Sequence, residues 1–169
     1  MGTGQMLLTI CAMVLMGSII LSTNRNINTN SYTLLRTNCG LDAVSLATSI
    51  IQEADSCAFD SSTVSGSDTV LTQLTPVASL GRDNNNPNDL DDVDDYNGLT
   101  GQDSMGSGWY YWKTKVFYVN NPANLNQNST IARSWTKRLD IWVWNKDLPD
   151  TIVMHSIYSY WFFGRAGRP

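Results

Sequence analysis

The feature that most constrains this chain is an apolar segment near its N-terminus. No charged side chain occurs between Met1 and Asn24, and residues 6–21 read MLLTICAMVLMGSIIL. A membrane-spanning helix needs roughly 20 predominantly apolar residues, and this segment with its uncharged flanks approaches that length. The sequence therefore predicts a membrane-spanning helix over residues 1–24.

A cleaved signal peptide is the main alternative for this segment. Such a peptide begins with Lys or Arg and ends in small residues at its cleavage site. Here no basic residue precedes the apolar run, and Ser-Thr-Asn follows it. The first basic residues, Arg25 and Arg36, come after the run, which by the positive-inside rule would place the remainder in the cytoplasm. We expect instead a mature chain that has lost a short basic leader.

A second helical stretch is expected after the apolar segment. Residues 24–30, NRNINTN, are poor helix formers and predict a weak point. From Ile27 onward, apolar residues recur at spacings of three, four and seven, which is typical of a helix face packed on its own domain. These residues are Ile27, Leu34, Leu41, Val44, Ala47, Ile51 and Ala54. The helix is therefore expected to span 1–57, with an amphipathic part at 25–57.

The three cysteines, Cys11, Cys39 and Cys57, do not have the spacing of a disulfide scaffold or a zinc site. On an unbroken helix, Cys39 and Cys57 would lie about 27 Å apart. A disulfide needs Cα atoms within roughly 7 Å of each other. We therefore expect free thiols.

The rest of the chain predicts loops followed by a sheet. Residues 58–108 are rich in Ser, Thr, Asn, Asp and Gly, which is typical of a variable surface loop region. Three runs within 109–169 are rich in β-branched and aromatic residues and are separated by turn residues. They are 109–119, 133–144 and 151–163. The predicted fold class is α+β, with a long N-terminal helix packed on a C-terminal antiparallel β-sheet.

The middle strand-like run has two distinct faces. Leu139, Ile141 and Val143 share one face, and Trp142 and Trp144 lie on the other. Large aromatic side chains on a second face indicate burial against loops or a neighbouring subunit. Aromatic side chains on this face would also suit the binding of carbohydrate, so a singly membrane-anchored carbohydrate-binding module is an alternative function.

An acidic run offers oxygen ligands of the kind that calcium prefers. Its residues are Asp89, Asp91, Asp92, Asp94, Asp95 and Asn97. The run is not an EF-hand loop, because Tyr96 occupies the third ligand position and no Glu stands at the twelfth. It is a candidate Ca²⁺ site, and a solvated acidic loop is the alternative.

Other signals for chemistry are sparse. The only histidine, His155, has no predicted nucleophile partner and is interpreted as structural. No nucleophile elbow, phosphate loop or HExxH motif occurs, so we expect no enzymatic activity and no required cofactor. The net charge of −4 argues against nucleic acid as a partner. Asn128, in Asn-Ser-Thr, is a candidate glycosylation site.

An apolar N-terminal helix that continues as an amphipathic helix, then a variable loop and an antiparallel sheet, resembles the type IV pilins and pseudopilins. That family has an apolar first residue and a Glu at the fifth position of the mature chain, where this chain has Met1 and Gln5. Gln5 can accept a hydrogen bond, but it cannot form the family's ion pair with the amino group of an adjacent subunit. Family members also hold calcium in a surface loop.

The resemblance implies a structural subunit that serves adhesion, motility or surface attachment. The precursor would lie in the inner membrane, lose its leader, become N-methylated and be extracted by pilus assembly machinery. The product would be an extracellular helical homopolymer. The helix would thin at Gly17 and residues 24–30. The alternative is a pseudopilin of a type II-like secretion system. The residues expected at the assembly interface are Met1, Gln5, Leu7, Leu8, Ile10, Val14, Leu15, Ile19, Ile20 and Leu21.

Overall fold

The computed structural model describes residues 2–64, 66, 70–82, 89–120 and 132–163. One long helix, α1, is followed by four strands and a short helix, α2. The bounds are α1 Thr3–Asp55, β1 Thr100–Met105, β2 Gly108–Tyr118, β3 Thr136–Trp144, β4 Ile152–Ser159 and α2 Tyr160–Phe163. The predicted α+β class, with a long N-terminal helix and an antiparallel sheet, is confirmed.

The chain divides into two compact units, residues 1–38 and 39–169. The described part of the first unit is helical from Thr3 onward. The helix does not break at residues 24–30, where Thr29 Oγ1 donates a hydrogen bond to the Arg25 carbonyl oxygen at 2.9 Å. Local side-chain hydrogen bonds of this kind occupy backbone carbonyl groups in a stretch of poor helix formers. Thinning of this stretch in an assembly stays a prediction.

The second unit contains a four-stranded antiparallel sheet in the order β1-β2-β3-β4. Three of the strands, β2, β3 and β4, correspond to the three predicted runs, and each pairs with its neighbour in sequence. The end of the last run was wrong, because Tyr160–Phe163 forms α2 and not strand. The predicted meander is thus present, with an additional strand at its edge.

The additional strand, β1, lies in the region expected to be surface loop. Its sequence TGQDSM is polar, and it forms an edge strand that pairs only with β2 among the described strands. Gly101 passes under the Trp112 ring, where a Cβ atom would collide with the indole. Within the same region, Phe59, Leu74 and Tyr96 are fully buried.

The core of the second unit lies between the C-terminal part of α1 and the sheet. Tyr110 Oη donates a hydrogen bond to the Cys39 carbonyl oxygen at 3.1 Å, and Tyr158 Oη donates to the Ile51 carbonyl oxygen at 3.3 Å. The inner sheet face contributes Leu139, Ile141 and Val143, as predicted. All three cysteines are free, which confirms the prediction for Cys39 and Cys57.

The predicted apolar stripe of the second helical stretch was only partly correct. The buried helix residues are Cys39, Ala43, Leu46, Ala47, Ile50 and Ala54. Ala47 and Ala54 belonged to the predicted stripe, but Leu41 and Val44 are exposed, as are Ile27 and Leu34 of the first unit. Small side chains such as Ala43 and Ala47 lie on the buried face beside Leu46 and Ile50, so the size of an apolar side chain does not by itself mark that face.

Candidate functional site

The N-terminal part of α1 carries an uncovered apolar surface. An 18-residue window of this helix is long and apolar enough to cross a membrane, and none of it is buried within the chain. The core helix of a soluble protein would be mostly buried, which this window is not. The predicted assembly residues other than Met1 all lie on this helix and are exposed. Met1 lies outside the described residues.

A row of large apolar side chains extends this surface along the first unit. Its members, which we call the apolar row, are Met6, Met13, Ile20, Ile27 and Leu34. They recur every seven residues, and each is between 55% and 75% exposed. A seven-residue repeat keeps side chains on one side of a helix, with a drift of only about 20° per repeat. The apolar row therefore continues past the membrane-length segment.

The acidic run does not converge on one point. Three carboxylates, from Asp91, Asp92 and Asp95, offer oxygen atoms within 4.8 Å of one another. Asp92 Oδ1 accepts hydrogen bonds from the backbone amides of Asp94 at 2.6 Å and Asp95 at 3.1 Å, and Ser61 Oγ donates to its other oxygen. Burial, with a contribution from the Asp95 charge, raises the pKa of Asp92 to about 6. The candidate calcium site is thereby reduced to these three carboxylates.

The other predicted ligands have different positions. Asn97 supports the fold, because its Nδ2 donates to the Leu80 carbonyl oxygen at 2.8 Å and its Oδ1 accepts from the Val116 amide at 3.0 Å. Asp89 is exposed and is not part of the group of three carboxylates. Asp94 faces Lys137 in the interior. Asn128, the candidate glycosylation site, lies outside the described residues.

The most unusual chemistry in the second unit is a buried lysine between two carboxylates. Lys137 Nζ donates hydrogen bonds to Asp60 Oδ2 at 2.6 Å, to Asp94 Oδ1, and to the Phe59 carbonyl oxygen at 2.8 Å. The side chains of Lys137, Asp60 and Asp94 are fully buried. Nζ also lies 4.5 Å from the centroid of the Phe59 ring and 5.2 Å from that of Tyr118. Aromatic rings thus flank an ion cluster that has no access to water.

Three separate elements position this cluster. Lys137 lies on β3 two residues before Leu139, so the two side chains share the inward face of the sheet. Asp60 follows the end of α1 and caps a 3₁₀ turn, Ser61–Thr63. Asp94 begins the buried 3₁₀ turn Asp94–Tyr96. The sheet and two turns therefore bring together groups that are far apart in sequence.

The two carboxylates of the cluster differ in their electrostatics. Burial raises the pKa of Asp94 to about 8, against the opposing effect of the Lys137 charge. Burial acts on Asp60 in the same direction, but the Lys137 charge and hydrogen bonds from Lys137, Ser62 and Thr75 outweigh it and hold its pKa well below the usual range. Asp94 Oδ2 has no hydrogen-bond partner among the described residues. The cluster therefore contains one carboxylate, Asp60, that the Lys137 charge and several hydrogen bonds keep ionised, and one carboxyl group, Asp94, that is poorly compensated.

Sequence reasoning did not identify Lys137 or Asp60. A signal was present for Lys137, because residues 137, 139, 141 and 143 have the same parity on β3 and must share one face. A lysine in register with three buried aliphatic residues indicates a buried charge that needs a partner. No comparable local pattern marks Asp60.

The outer face of the sheet carries a second polar group. His155 Nδ1 lies 2.7 Å from Asp140 Oδ1, and Arg138 Nη2 donates to Asp140 Oδ2 at 2.9 Å. On the same face Trp142 is half-buried and Trp144 is partly exposed and stacked on Tyr111. The histidine thus lies on the surface of the sheet beside a carboxylate.

Comparison with protein families, with characterised proteins and with solved structures found no match to this chain.

Proposed function

We propose that this chain is the structural subunit of an extracellular filament of the type IV pilus kind, anchored in the inner membrane before assembly. The observation that carries the proposal is the uncovered apolar surface of α1, which includes the apolar row. A surface of this size is covered either by lipid or by other protein.

Lipid alone does not account for the length of the apolar row. The distance along the helix from Met6 to Leu34 is about 42 Å at 1.5 Å per residue. The hydrocarbon core of a bilayer is about 30 Å thick. A membrane would cover the row to near Ile27, and Leu34 would remain in water. Packing against the same helix of another copy covers the whole row, since apolar residues at seven-residue spacing suit helix–helix packing.

The two coverings fit two stages of one pathway. In the membrane, lipid covers the segment up to residue 24. In the filament, neighbouring copies of α1 replace the lipid and also cover the residues beyond it. Gln5 then contacts a neighbouring copy through a hydrogen bond and not an ion pair. The partners are therefore the chain itself, the inner membrane and an assembly machinery, and the role is structural and not enzymatic.

Fractionation of cells that produce the full chain tests this proposal. Shearing should release the protein as filaments, while a pool of subunits stays in the membrane fraction. A chain that remains wholly with the cell envelope as short rods would favour the pseudopilin alternative. Membrane-bound monomers would favour an anchored binding module, and either result would contradict the proposal.

A further inference from the structure

The buried cluster of Lys137, Asp60 and Asp94 has an arrangement that an ion pair does not require. Two carboxylates face one ammonium group, and all three side chains are fully buried. One oxygen of Asp94 is buried without a partner among the described residues. If the cluster served only as an ion pair, the folded state would bear the free-energy cost of the unpaired oxygen and of the desolvated ions.

We infer that Lys137 and Asp94 become joined by an intramolecular amide bond between Lys137 Nζ and Asp94 Cγ, and that Asp60 carries the protons for this reaction. No metal, cofactor or second protein takes part. The inference concerns the second unit alone and does not depend on filament formation.

The reaction balances with one water molecule as the by-product. A first proton moves from Nζ to Asp94 along their hydrogen bond, which leaves a neutral amine beside a neutral carboxylic acid. The lone pair of Nζ attacks Asp94 Cγ and forms the C–N bond. Asp60 Oδ2, 2.6 Å from Nζ, removes a second proton from nitrogen and delivers it to the departing hydroxyl group. The C–O bond breaks, water leaves, and Asp60 is again a carboxylate.

The geometry provides each requirement of this step. The Nζ–Oδ1 hydrogen bond holds nucleophile and electrophile together, so attack is intramolecular and its entropic cost is largely met by folding. The side chains of Lys137 and Asp94 are fully buried, which disfavours their charged forms relative to the neutral amine and neutral acid that react. Tyr118 Oη donates to Asp60 Oδ2 at 3.0 Å and orients the proton carrier. The surrounding rings exclude bulk water, which would otherwise solvate the ammonium and carboxylate forms and oppose the reaction.

The product also removes two of the three buried charges of the cluster, and Asp60 keeps the hydrogen bond from Tyr118 Oη. An ammonium and a carboxylate disappear from the interior, and an amide with modest desolvation cost replaces them. The new bond closes a loop between residues 43 positions apart and ties β3 to the buried turn Asp94–Tyr96. A cross-link of this kind restricts the unfolded chain and so stabilises the folded unit.

Tryptic mapping of the folded full chain by mass spectrometry tests the inference. Trypsin cuts after Arg82, Lys113, Arg133 and Arg138, so the bond would join peptide 83–113 to peptide 134–138. The joined species should weigh one water less than the sum of its two peptides. Cleavage after Lys137 should be blocked, and fragmentation should place the bond between Lys137 and Asp94.

Three variants define the chemistry. Lys137→Arg and Asp94→Ala should show no joined peptide, and Asp60→Asn should lower the joined fraction at least tenfold. Lys115→Arg, at an exposed position on β2, is the matched control and should be joined like the wild-type chain. The wild-type map decides the question even where a variant fails to fold. Separate peptides 83–113 and 134–137 from folded wild-type protein, or a water loss located elsewhere, would overturn the inference.

Discussion

Lys137 Nζ lies 2.6 Å from Asp60 Oδ2, and both side chains are wholly shielded from solvent. This contact joins β3 to the segment that follows α1, with 77 positions of sequence between the two residues. A buried charge of this kind is tolerated only with a partner of opposite sign. The stability of the second unit therefore depends on this cluster more than on any surface ion pair.

Replacing Lys137 with Met should destabilise the protein strongly. The substitution removes the nitrogen that donates to Asp60 Oδ2, and leaving a buried carboxylate without this partner costs about 3–5 kcal/mol. Urea unfolding of the full chain in detergent, followed by tryptophan fluorescence, measures the loss. Lys115→Met removes an exposed lysine and should change the free energy of unfolding by less than about 0.5 kcal/mol. Equal effects of the two substitutions would contradict the role assigned to Lys137.

Asp92→Asn should change how stability depends on pH. The pKa of Asp92 in the folded chain is about 6, above its usual value of 3.8. The folded state therefore holds this proton more tightly than the unfolded state, and wild-type stability falls as pH rises from about 4 to about 6. Asn does not ionise and escapes this loss, so the variant should gain up to about 3 kcal/mol relative to wild type across that range.

Unfolding curves of the wild-type chain and of Asp92→Asn at several pH values give the difference between their free energies of unfolding. It should rise with pH up to about 6 and be level above that value. Asp150→Asn, at an exposed loop position, controls for the loss of one acidic side chain elsewhere in the chain. A difference between Asp92→Asn and wild type that is independent of pH would show that Asp92 has an ordinary pKa.

Calcium binding by Asp91, Asp92 and Asp95 stays a prediction. Ca²⁺ at millimolar concentration should raise the midpoint of thermal unfolding, because a ligand that binds only the folded state stabilises it. Chelation should reverse the increase, and Asp91→Asn should abolish it. The matched control is Asp89→Asn, an exposed residue outside the group of three. A wild-type midpoint that does not respond to Ca²⁺ would leave a structural acidic turn in place of a metal site.

Leu34→Asp should block assembly without unfolding the subunit. Leu34 is exposed in the isolated chain, so its replacement should have little effect on monomer stability. In a filament the new carboxylate would lie in an apolar helix interface and disrupt it. The measurement is the amount of protein in sheared filaments relative to the membrane pool. Thr29→Asp adds the same charge on another side of α1 and should assemble.

The helices and strands that a local sequence pattern marks were predictable. The apolar N-terminal segment and the β2, β3 and β4 strands all follow from apolar runs or two-residue alternation. Strand β1 could not be predicted in this way, because Thr100–Met105 is polar and gains its structure from pairing with β2. The buried face of α1 was only partly predicted, since Ala43 is buried while the larger Leu41 and Val44 of the predicted stripe are exposed.

The buried cluster shows a second limit of prediction from the sequence. Each of its residues is ordinary in its own sequence context, and only the tertiary structure places Asp60 and Asp94 on either side of Lys137. Within the acidic run, the sequence does not distinguish Asp94, which faces the interior, from Asp91 and Asp95, which lie near Asp92. A set of like charges adjacent in sequence was therefore interpreted as one site, although its members have different partners.

The most direct test of the central claim is a helical reconstruction, by electron cryomicroscopy, of filaments sheared from cells that produce this chain. The account predicts a filament of this subunit in which the N-terminal helices are bundled at the axis and the apolar row from Met6 to Leu34 contacts neighbouring copies. Filaments that lack this chain, or a subunit whose apolar row faces solvent in the assembled fibre, would contradict it.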